Sequence, residues 1–477
     1  MKNHFVQVVD RARQGFKRTR STGSESETQS HLDLVPPELW LQIFAYLSSH
    51  VDLKAVSLTC ISFRQLAQPL LFTRIYTHPP PPTLALRGIQ TTKYRRRTTQ
   101  RLDFFLSPLI APAVRECWID PPSAEEEDLP TDVLIDAIFD GLRKLPNLKV
   151  LGCRSIRLAS KRLEVLRCLS LTTLTLESCL SDVTQHTHLP ALSLSSATFR
   201  YHEAVSRDAS LSPLFSFFLS PRHLQRLAST STEVIPVLAR RRSFTRLLQL
   251  EIPVECLTST SFISALSHCP SLERITLLTD AEGHLPSRSS TVSAIPKNTL
   301  PNLKFYRGPR NFAALFASTG RLQTVELSIP VKVHRLLRTL GQLKSAVDFL
   351  SFRVDGDIPK TLLESIHTLL PSLRTLSIND PPVSPLTLHT LLEETTPRNT
   401  TRVFRMRVEG RDRYNLWVPP VEDAVDALDC YKKIRSDIER VYPNLSTLKL
   451  LYGVEGASVV WRRNAGTGQL VQATAVH

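Results

Sequence analysis

The chain has 477 residues, of which 42% are hydrophobic, so its length predicts two or more domains with sizeable cores. It holds only 15 glycines against 33 prolines and carries no GxGxxG, GxxxxGKS/T, GxSxG or HExxH motif, which argues against nucleotide-binding enzymes and leaves no catalytic motif. Its net charge of +15 raises the hypothesis of a nucleic-acid or anionic-surface partner.

The eight cysteines are scattered along the chain without a CxxC pair. Together with the lack of a secretory signal, this spacing predicts reduced, mostly buried thiols in a cytoplasmic and/or nuclear protein. We expect no metal site and no cofactor. No apolar run approaches the roughly 18 residues of a membrane span, so no membrane partner is expected.

Residues 1–31 are rich in Lys and Arg and end in a Ser/Thr/Glu tract, which predicts a disordered basic tail. Residues 32–77 predict three short helices. A proline pair and an acidic residue suit the first turn of the first helix. Its apolar residues recur at intervals of four and form one stripe: Leu39, Ile43 and Leu47. Asp52 and Ser62 are placed where they could cap the second and third helices. A module of about 45 residues buries little apolar surface, so we expect it to need a partner.

This stretch resembles an F-box. The features that carry the resemblance are Pro36, Pro37, Glu38, Leu39, Ile43, Leu47, Asp52, Leu53, Cys60, Pro69, Leu70, Leu71 and Phe72. Val35 stands where the family has a leucine, and Phe63 is the nearest counterpart of its tryptophan. The resemblance implies binding to the Skp-type adaptor of a cullin-RING ubiquitin ligase, through Val35, Pro36, Leu39, Ile43, Leu47 and Leu53. The alternative is a plain three-helix cap on the following domain.

Residues 78–131 are predicted to be a linker. Four consecutive prolines begin it, and a basic segment follows from Arg87 to Arg101. An acidic segment, from Glu125 to Asp128, could pair with the basic one. The basic segment could instead contact phosphates, although it offers a single ring, Tyr94, for stacking.

A frame of the form L-x-x-L-x-L recurs in the remainder of the chain. Its copies begin at Leu148, Leu171, Leu247, Leu272, Leu303, Leu322, Val347, Leu373 and Leu445. Weaker copies lie within 189–194, 223–228 and 401–408. Several neighbouring copies are about 25 residues apart, within the range of leucine-rich repeats. The pattern resembles the degenerate leucine-rich repeats that follow F-boxes in many fungal proteins. The alternative is an ordinary α/β domain with leucine-rich strands.

Helical patterns separate the copies of the frame. They cover 132–145, 260–268, 333–343, 360–370, 386–394 and 423–442. The predicted fold is therefore α/β: a three-helix F-box followed, over 132–462, by a curved leucine-rich-repeat solenoid with parallel strands on its concave face and helices outside. Residues 463–477 are predicted to be a disordered tail. We also expect residues from Leu102 onward to fold without the F-box.

Alternation places the fourth and sixth residues of each frame inward and the third and fifth outward, on the surface that solenoids use for binding. We assign Arg274 and Arg405 to the third position and Arg407 and Lys449 to the fifth. The candidate substrate-binding residues are Thr175, Glu251, Arg274, Glu326, Arg405, Arg407 and Lys449. Basic residues concentrate in the late copies, which suggests an acidic ligand at that end; the alternative is that these charges only solvate the surface.

Three functions remain open. In the first, the chain is the substrate-recognition adaptor of a Skp-cullin-F-box ubiquitin ligase: its F-box binds the adaptor, its repeats bind an unknown protein substrate, and catalysis resides in partner subunits. In the second it is a ligase-independent scaffold. In the third, its basic segments bind nucleic acid or an anionic surface. The sequence favours the first, so neither an enzyme nor a nucleic-acid partner is expected.

Overall fold

The computed structural model describes residues 35–47, 49–77, 90–120, 131–181, 192–201, 212–241, 243–279, 295–318, 322–343, 347–383, 385–408, 434–452, 457–464, 466–468 and 470–476. These residues fall into two compact units that divide between Thr73 and Arg74. We refer to them as the three-helix unit and the repeat unit. The predicted tail at 1–31, the four prolines and the acidic segment lie outside the described residues.

The three-helix unit consists of α1 (Pro37–Ala45), α2 (His50–Ser57) and α3 (Ile61–Leu71). Its caps differ from the predicted ones. The Ser49 hydroxyl accepts a hydrogen bond from the Asp52 N–H at 3.4 Å, and the Cys60 sulfur accepts one from the Phe63 N–H at 3.3 Å. The second helix therefore begins three residues earlier than Asp52 would have started it, and the third begins two residues earlier than Ser62 would have started it.

An aromatic cluster forms the core of this unit. The Trp40 ring lies 4.7 Å from that of Phe63, and Phe44 meets Phe63 edge to face at 5.1 Å. Phe44 is buried together with Leu53, Val56 and Ala67. Because the helices are short, this small cluster carries most of the apolar burial that stabilises the unit.

The repeat unit alternates strands and helices. The strands are β1 (Arg74–Thr77), β2 (Glu116–Ile119), β3 (Val150–Arg154), β4 (Arg157–Leu158), β5 (Thr173–Glu177), β6 (Leu180–Ser181), β7 (Ser196–Arg200), β8 (Arg226–Ser229), β9 (Gln249–Pro253), β10 (Arg274–Leu278), β11 (Phe305–Gly308), β12 (Thr324–Leu327), β13 (Phe349–Phe352), β14 (Thr375–Val383), β15 (Val403–Val408), β16 (Thr447–Tyr452), β17 (Ala457–Arg463) and β18 (Leu470–Val476). The helices are α4 (Gln90–Phe105), α5 (Thr131–Leu142), α6 (Ser160–Cys168), α7 (Ser212–Phe218), α8 (Val234–Arg240), α9 (Phe262–Ser267), α10 (Arg310–Ala317), α11 (Val333–Gln342), α12 (Leu362–Leu369), α13 (Pro385–Glu393) and α14 (434–441). Short 3-10 helices span Ala111–Ala113 and Val254–Thr258.

Within the described residues these strands form one 16-stranded sheet, plus a separate pair of β4 and β6. The large sheet follows chain order, and its strands pair parallel from β1 through β16. The strands β17 and β18 then pair antiparallel and end it. Several consecutive helices pack against each other, among them α10, α11, α12 and α13. This is the predicted α/β architecture of the leucine-rich-repeat type.

Side-chain alternation explains why the frame makes this sheet. In β5, Leu174 and Leu176 are buried, whereas Thr173, Thr175 and Glu177 remain half exposed. The register stacks the first inward residue of each repeat into a continuous buried row: Leu151, Leu174, Ala197, Leu227, Leu250, Ile275, Tyr306, Val325, Leu350, Leu376, Phe404 and Leu448. A fully buried side chain of this size contributes about 1.5–3 kcal/mol, so each repeat is stabilised chiefly by its neighbours.

A recurring asparagine bond joins successive repeats. The Asn147 side-chain amide donates to the Pro112 carbonyl at 2.7 Å. Asn302 and Asn444 make the same contact to Pro270 and Asn399, at 3.1 and 3.0 Å. Each asparagine directly precedes the first residue of its frame, and each accepting carbonyl lies two residues before the first residue of the preceding frame. The bond therefore marks where a frame begins even when leucine is missing there.

The repeat unit is longer at both ends than the sequence predicted. Residues 78–131 were expected to form a linker, yet they contain α4 and β2, and β1 pairs with β2 in the sheet. The frame at 114–119 escaped detection because Val114, Cys117 and Ile119 replace its leucines. Within the predicted tail at 463–477, β18 pairs with β17, because its seven uncharged residues suit a strand.

The predicted helical patterns between copies agree with α5, α9, α11, α12 and α13 within a few residues. Residues 423–433 of the last pattern lie outside the described residues, and α14 covers 434–441. The described cysteines are free, and most are buried. The Cys179 thiol donates to the Cys153 carbonyl at 3.4 Å, and burial raises the pKa of Cys179 to about 12. It acts as a buried structural contact between repeats.

A buried histidine lies near the C-terminal end of the repeat unit. His367 of α12 is fully buried, and its Nε2 lies 3.0 Å from the Tyr442 hydroxyl. Burial is the main cause that lowers the pKa of His367 to about 4, and the nearby Arg398 guanidinium lowers it further. Arg398 is itself paired with Glu364 at 2.5 Å. The folded chain therefore holds His367 neutral.

Acid is expected to destabilise the repeat unit through His367. A histidine with a folded pKa near 4 and an unfolded pKa of 6.5 gives stability that is present above pH 6.5 and lost as the pH falls towards 4. Between pH 7 and pH 5 we expect a loss of about 2 kcal/mol from this residue. Urea unfolding at both pH values, followed by circular dichroism, should show a smaller loss for His367→Gln. Equal losses in the two proteins would contradict the prediction.

Candidate functional site

An exposed apolar stripe runs along α1. Leu39 is 48% exposed, Ile43 39% and Tyr46 88%. An adjoining face of the same helix, about 100° around its axis, packs into the core of the three-helix unit through Trp40 and Phe44. The stripe therefore stays accessible because the helix buries a different face.

The neighbouring helices add further exposed apolar residues. Val51 lies at the start of α2, Leu58 directly follows α2, and Ile61 begins α3; all three are largely exposed. Such a set of large apolar side chains on so small a unit is typical of a protein-binding surface. We call Leu39, Ile43, Tyr46, Val51, Leu58 and Ile61 the apolar surface.

The predicted adaptor-binding residues divide into two groups. Pro36, Leu39 and Ile43 are exposed, and Val35 is half-buried. Leu47 packs partly against the core, and Leu53 is one of its buried members. Leu53 therefore has a structural role, and its burial does not support a direct contact. The sequence analysis missed four further exposed apolar residues: Tyr46, Val51, Leu58 and Ile61. What could have revealed them is that each is a large apolar residue at a position that the helical pattern does not bury.

The second candidate surface is the open face of the sheet, formed by the third and fifth residues of each frame. Thr175, Glu251, Glu326 and Lys449 are half exposed there, and Arg405 is exposed. Arg274 is also exposed, and its guanidinium lies 3.9 Å from the centre of the Phe305 ring on the next strand. This cation–π contact holds Arg274 against the sheet.

The register corrects the positions assigned to two arginines. Arg405 pairs with Ser377 on one side and Lys449 on the other, so it occupies the fifth position and not the third. Arg407 pairs with Leu451, so it lies two residues beyond the fifth position to which the sequence assigned it. The frame begins at Thr401, which is fully buried and donates its hydroxyl proton to the Leu373 carbonyl at 3.2 Å. The Arg407 side chain lies outside the described residues.

Ion pairs cross the early strands. Arg154 pairs with Glu177 at 2.9 Å and with Asp120 at 3.4 Å, and Arg200 lies 3.7 Å from Glu177. These four residues lie at the ends of consecutive strands, so the charges compensate one another across the sheet. Further pairs follow the same pattern: Arg74 with Glu116 at 2.8 Å, and Arg307 with Glu326 at 3.8 Å.

The late strands differ in this respect. Arg405 and Lys449 are neighbours across β15 and β16, and neither makes an ion pair within the described residues. The fifth-position residue on the other side of Arg405 is Ser377, whose hydroxyl donates to the Asn379 side chain at 3.1 Å. Among the described residues, these two positive charges are therefore not compensated by carboxylates, whereas those of the early ion pairs are.

The described residues contain neither a metal-binding cluster nor a membrane-spanning helix. No group of three or more His, Cys, Asp or Glu side chains in the described ranges could hold a metal ion. None of the described helices has the length and apolar character needed to cross a membrane. The His389 Nδ1 lies 2.5 Å from an Asp437 oxygen, and this pair joins α13 to α14.

Comparison with known proteins identifies the three-helix unit. The F-box-like family model matches residues 32–78, which include α1, α2, α3 and β1. The search of curated proteins gave no match. The chain therefore contains an F-box-like domain, followed by a long α/β unit of parallel strands that is consistent with repeats.

Proposed function

We propose that the chain is the substrate receptor of a Skp-cullin-F-box ubiquitin ligase. Its F-box-like domain binds the Skp-type adaptor, and the open face of the repeat unit binds a protein substrate. The apolar surface carries the first half of the proposal. Burying a side chain such as Leu39 or Ile43 contributes about 1.5–3 kcal/mol, so a few of them are sufficient for a stable contact.

The repeat unit suits the second half of the proposal. Its open face presents a row of hydroxyl, charged and aromatic side chains along the whole sheet. Surfaces of this kind bind extended or folded partners through many small contacts. A substrate held there is brought near the catalytic subunits, so this chain contributes proximity and orientation and leaves the chemistry to its partners.

The same proposal places the protein in a reducing compartment, the cytoplasm or the nucleus. The described cysteines are free, and burial raises the pKa of several of them, including Cys117 and Cys269, to about 12. Buried thiols of this kind form no disulfides with solvent-borne partners and fit such a location.

Affinity purification from cells treated with a proteasome inhibitor tests the ligase role. We expect the full chain to co-purify with the Skp-type adaptor and a cullin, together with ubiquitinated proteins. The matched sample is a chain whose apolar surface carries Ile43→Asp, which should lose all three. Recovery of the adaptor without a cullin would instead indicate a ligase-independent scaffold, and recovery of neither would contradict the proposal.

A further inference from the structure

Three cations lie together on the open face at the late end of the sheet. Arg405 pairs with Lys449 across β15 and β16. Arg462 of β17 pairs with Thr447, which is an outward residue two positions before Lys449. Because paired residues on adjacent strands share a face, Arg462 lies on the same face as Arg405 and Lys449. We call these three residues the cationic cluster.

No acidic side chain neutralises the cationic cluster within the described residues. Arg405 and Arg462 are exposed, Lys449 is half exposed, and none of the three makes an ion pair there. The described side chains beside them on this face carry no charge: Ser377, Val403, Thr447 and Val460. The early strands, by contrast, pair Arg74, Arg154 and Arg200 with carboxylates on adjacent strands.

We propose that the cationic cluster binds an acidic peptide segment of the client protein. This rests on the proposed function and names the chemistry of the substrate that the same face receives. Charge complementarity carries it, since three like charges on adjacent strands repel one another until an anionic partner covers them. Neighbouring strands are about 4.8 Å apart, and alternate residues of a strand about 6.6 Å. An extended peptide with acidic residues at alternate positions matches this spacing.

The surroundings favour a peptide over a nucleic acid. Single-stranded nucleic acids are held by aromatic rings between the charges, on which the bases stack. The residues beside the cluster are aliphatic or hydroxylic. The Trp461 ring, next to Arg462 in the chain, belongs to the other face, because Trp461 pairs with the buried Leu448.

Fluorescence anisotropy with labelled probes tests the proposal. The protein is the full chain, in about 0.15 M salt, where distant charges are screened. The first probe is an eight-residue peptide of alternating glutamate and alanine. The second replaces each glutamate with glutamine, and the third is a ten-nucleotide oligouridylate. We expect the glutamate peptide to bind at least tenfold more tightly than either of the others.

Charge reversal of the cluster should remove this preference. Each exposed charge contact changes affinity by at most about fivefold, so Arg405→Glu with Lys449→Glu should weaken the glutamate peptide tenfold or more. The matched control is Arg96→Glu with Arg97→Glu, which makes the same change in net charge on exposed residues of α4. If the reversed chain misfolds, Arg405→Gln with Lys449→Gln removes the charges alone and should weaken binding about fivefold.

Four outcomes would overturn the proposal. They are equal losses in the cluster and α4 variants, tighter binding of the oligouridylate, equal binding of the glutamine peptide, and no binding to the unaltered chain at about 1 mM. Capture of the adaptor by the cluster variants is measured in parallel. If it persists while the peptide result is negative, the inference fails and the proposed function stands. If the peptide binds as expected but the adaptor and cullin do not, the cationic cluster is supported as a peptide-binding site and the proposed ligase role fails.

Discussion

Replacing Leu39 and Ile43 of α1 together by aspartate is expected to abolish capture of the Skp-type adaptor. Both side chains are substantially exposed on one face of α1, while Trp40 and Phe44 pack into the core from an adjoining face. The double change removes two apolar contacts and introduces two charges that the interface would have to bury without partners. We expect an affinity loss on the order of a hundredfold or more, measured by isothermal titration with purified adaptor.

A third substitution on the same helix provides the control. Ala45 is exposed and lies two residues beyond Ile43, which turns it about 200° away around the helix. Ala45→Asp therefore adds charge to α1 outside the apolar surface and should leave adaptor affinity nearly unchanged. Circular dichroism of all variants separates lost binding from lost folding. An aspartate double variant that stays folded and binds at unchanged affinity would place the adaptor contact elsewhere.

The F-box-like domain was predictable because its signal is local. The proline pair and the spacing of Leu39, Ile43 and Leu47 lie within one short stretch, and the family match covers the same residues. Periodicity locates apolar positions, yet it does not reveal which of them another helix covers. For this reason the sequence grouped Leu53, a core residue, with the exposed Ile43, and it missed Tyr46.

The repeats show a similar division. Frames with leucine at the inward positions were predicted, and the strand order of the sheet follows them. Frames that begin with Val114 or Thr401 were missed or shifted, because any residue that can be buried at the first position will suffice there. At Thr401 a hydroxyl bond to the Leu373 carbonyl makes that burial possible. Neither that bond nor the asparagine bond from Asn444 is visible in a pattern of leucines, so the placement of Arg405 and Arg407 could not be settled from sequence.

The stability of the repeat unit is expected to depend on whether β1 and α4 are included at its N-terminal end. A fragment of residues 74–477 should unfold cooperatively, because the compact repeat unit begins at Arg74. A fragment of residues 78–477, which lacks only β1, should be less stable by about 3 kcal/mol, the cost of exposing a buried residue and one edge of the sheet. A fragment of residues 102–477, first expected to fold on its own, also lacks most of α4 and should be less stable still.

Contacts of β1 explain why removing it should lower the stability of the repeat unit. Ile75 is buried, and β1 pairs with β2 over four residues, with Arg74 held to Glu116 at 2.8 Å. Glu116 in turn accepts a hydrogen bond from the Trp118 indole at 2.6 Å. That indole lies over Gly152 of β3, where an added Cβ would be 2.1 Å from it. Removing β1 therefore takes away the Arg74 partner of Glu116, the side chain that holds the Trp118 indole in place on β2.

Thermal unfolding of the three fragments, followed by circular dichroism, separates the possible boundaries. The midpoint should fall by several degrees from 74–477 to 78–477 and again to 102–477. The second fall reflects loss of residues 90–101 of α4, which leaves Leu102 and Leu106, the residues that pack beside Gly141 of α5, on one remaining helical turn. In a chain of repeats each unit is stabilised by its neighbours, so a lost end repeat should lower the midpoint without preventing folding of the rest. Identical midpoints for 74–477 and 102–477 would contradict the prediction, because they would mean that β1 and most of α4 add no stability to a sheet that begins at β2.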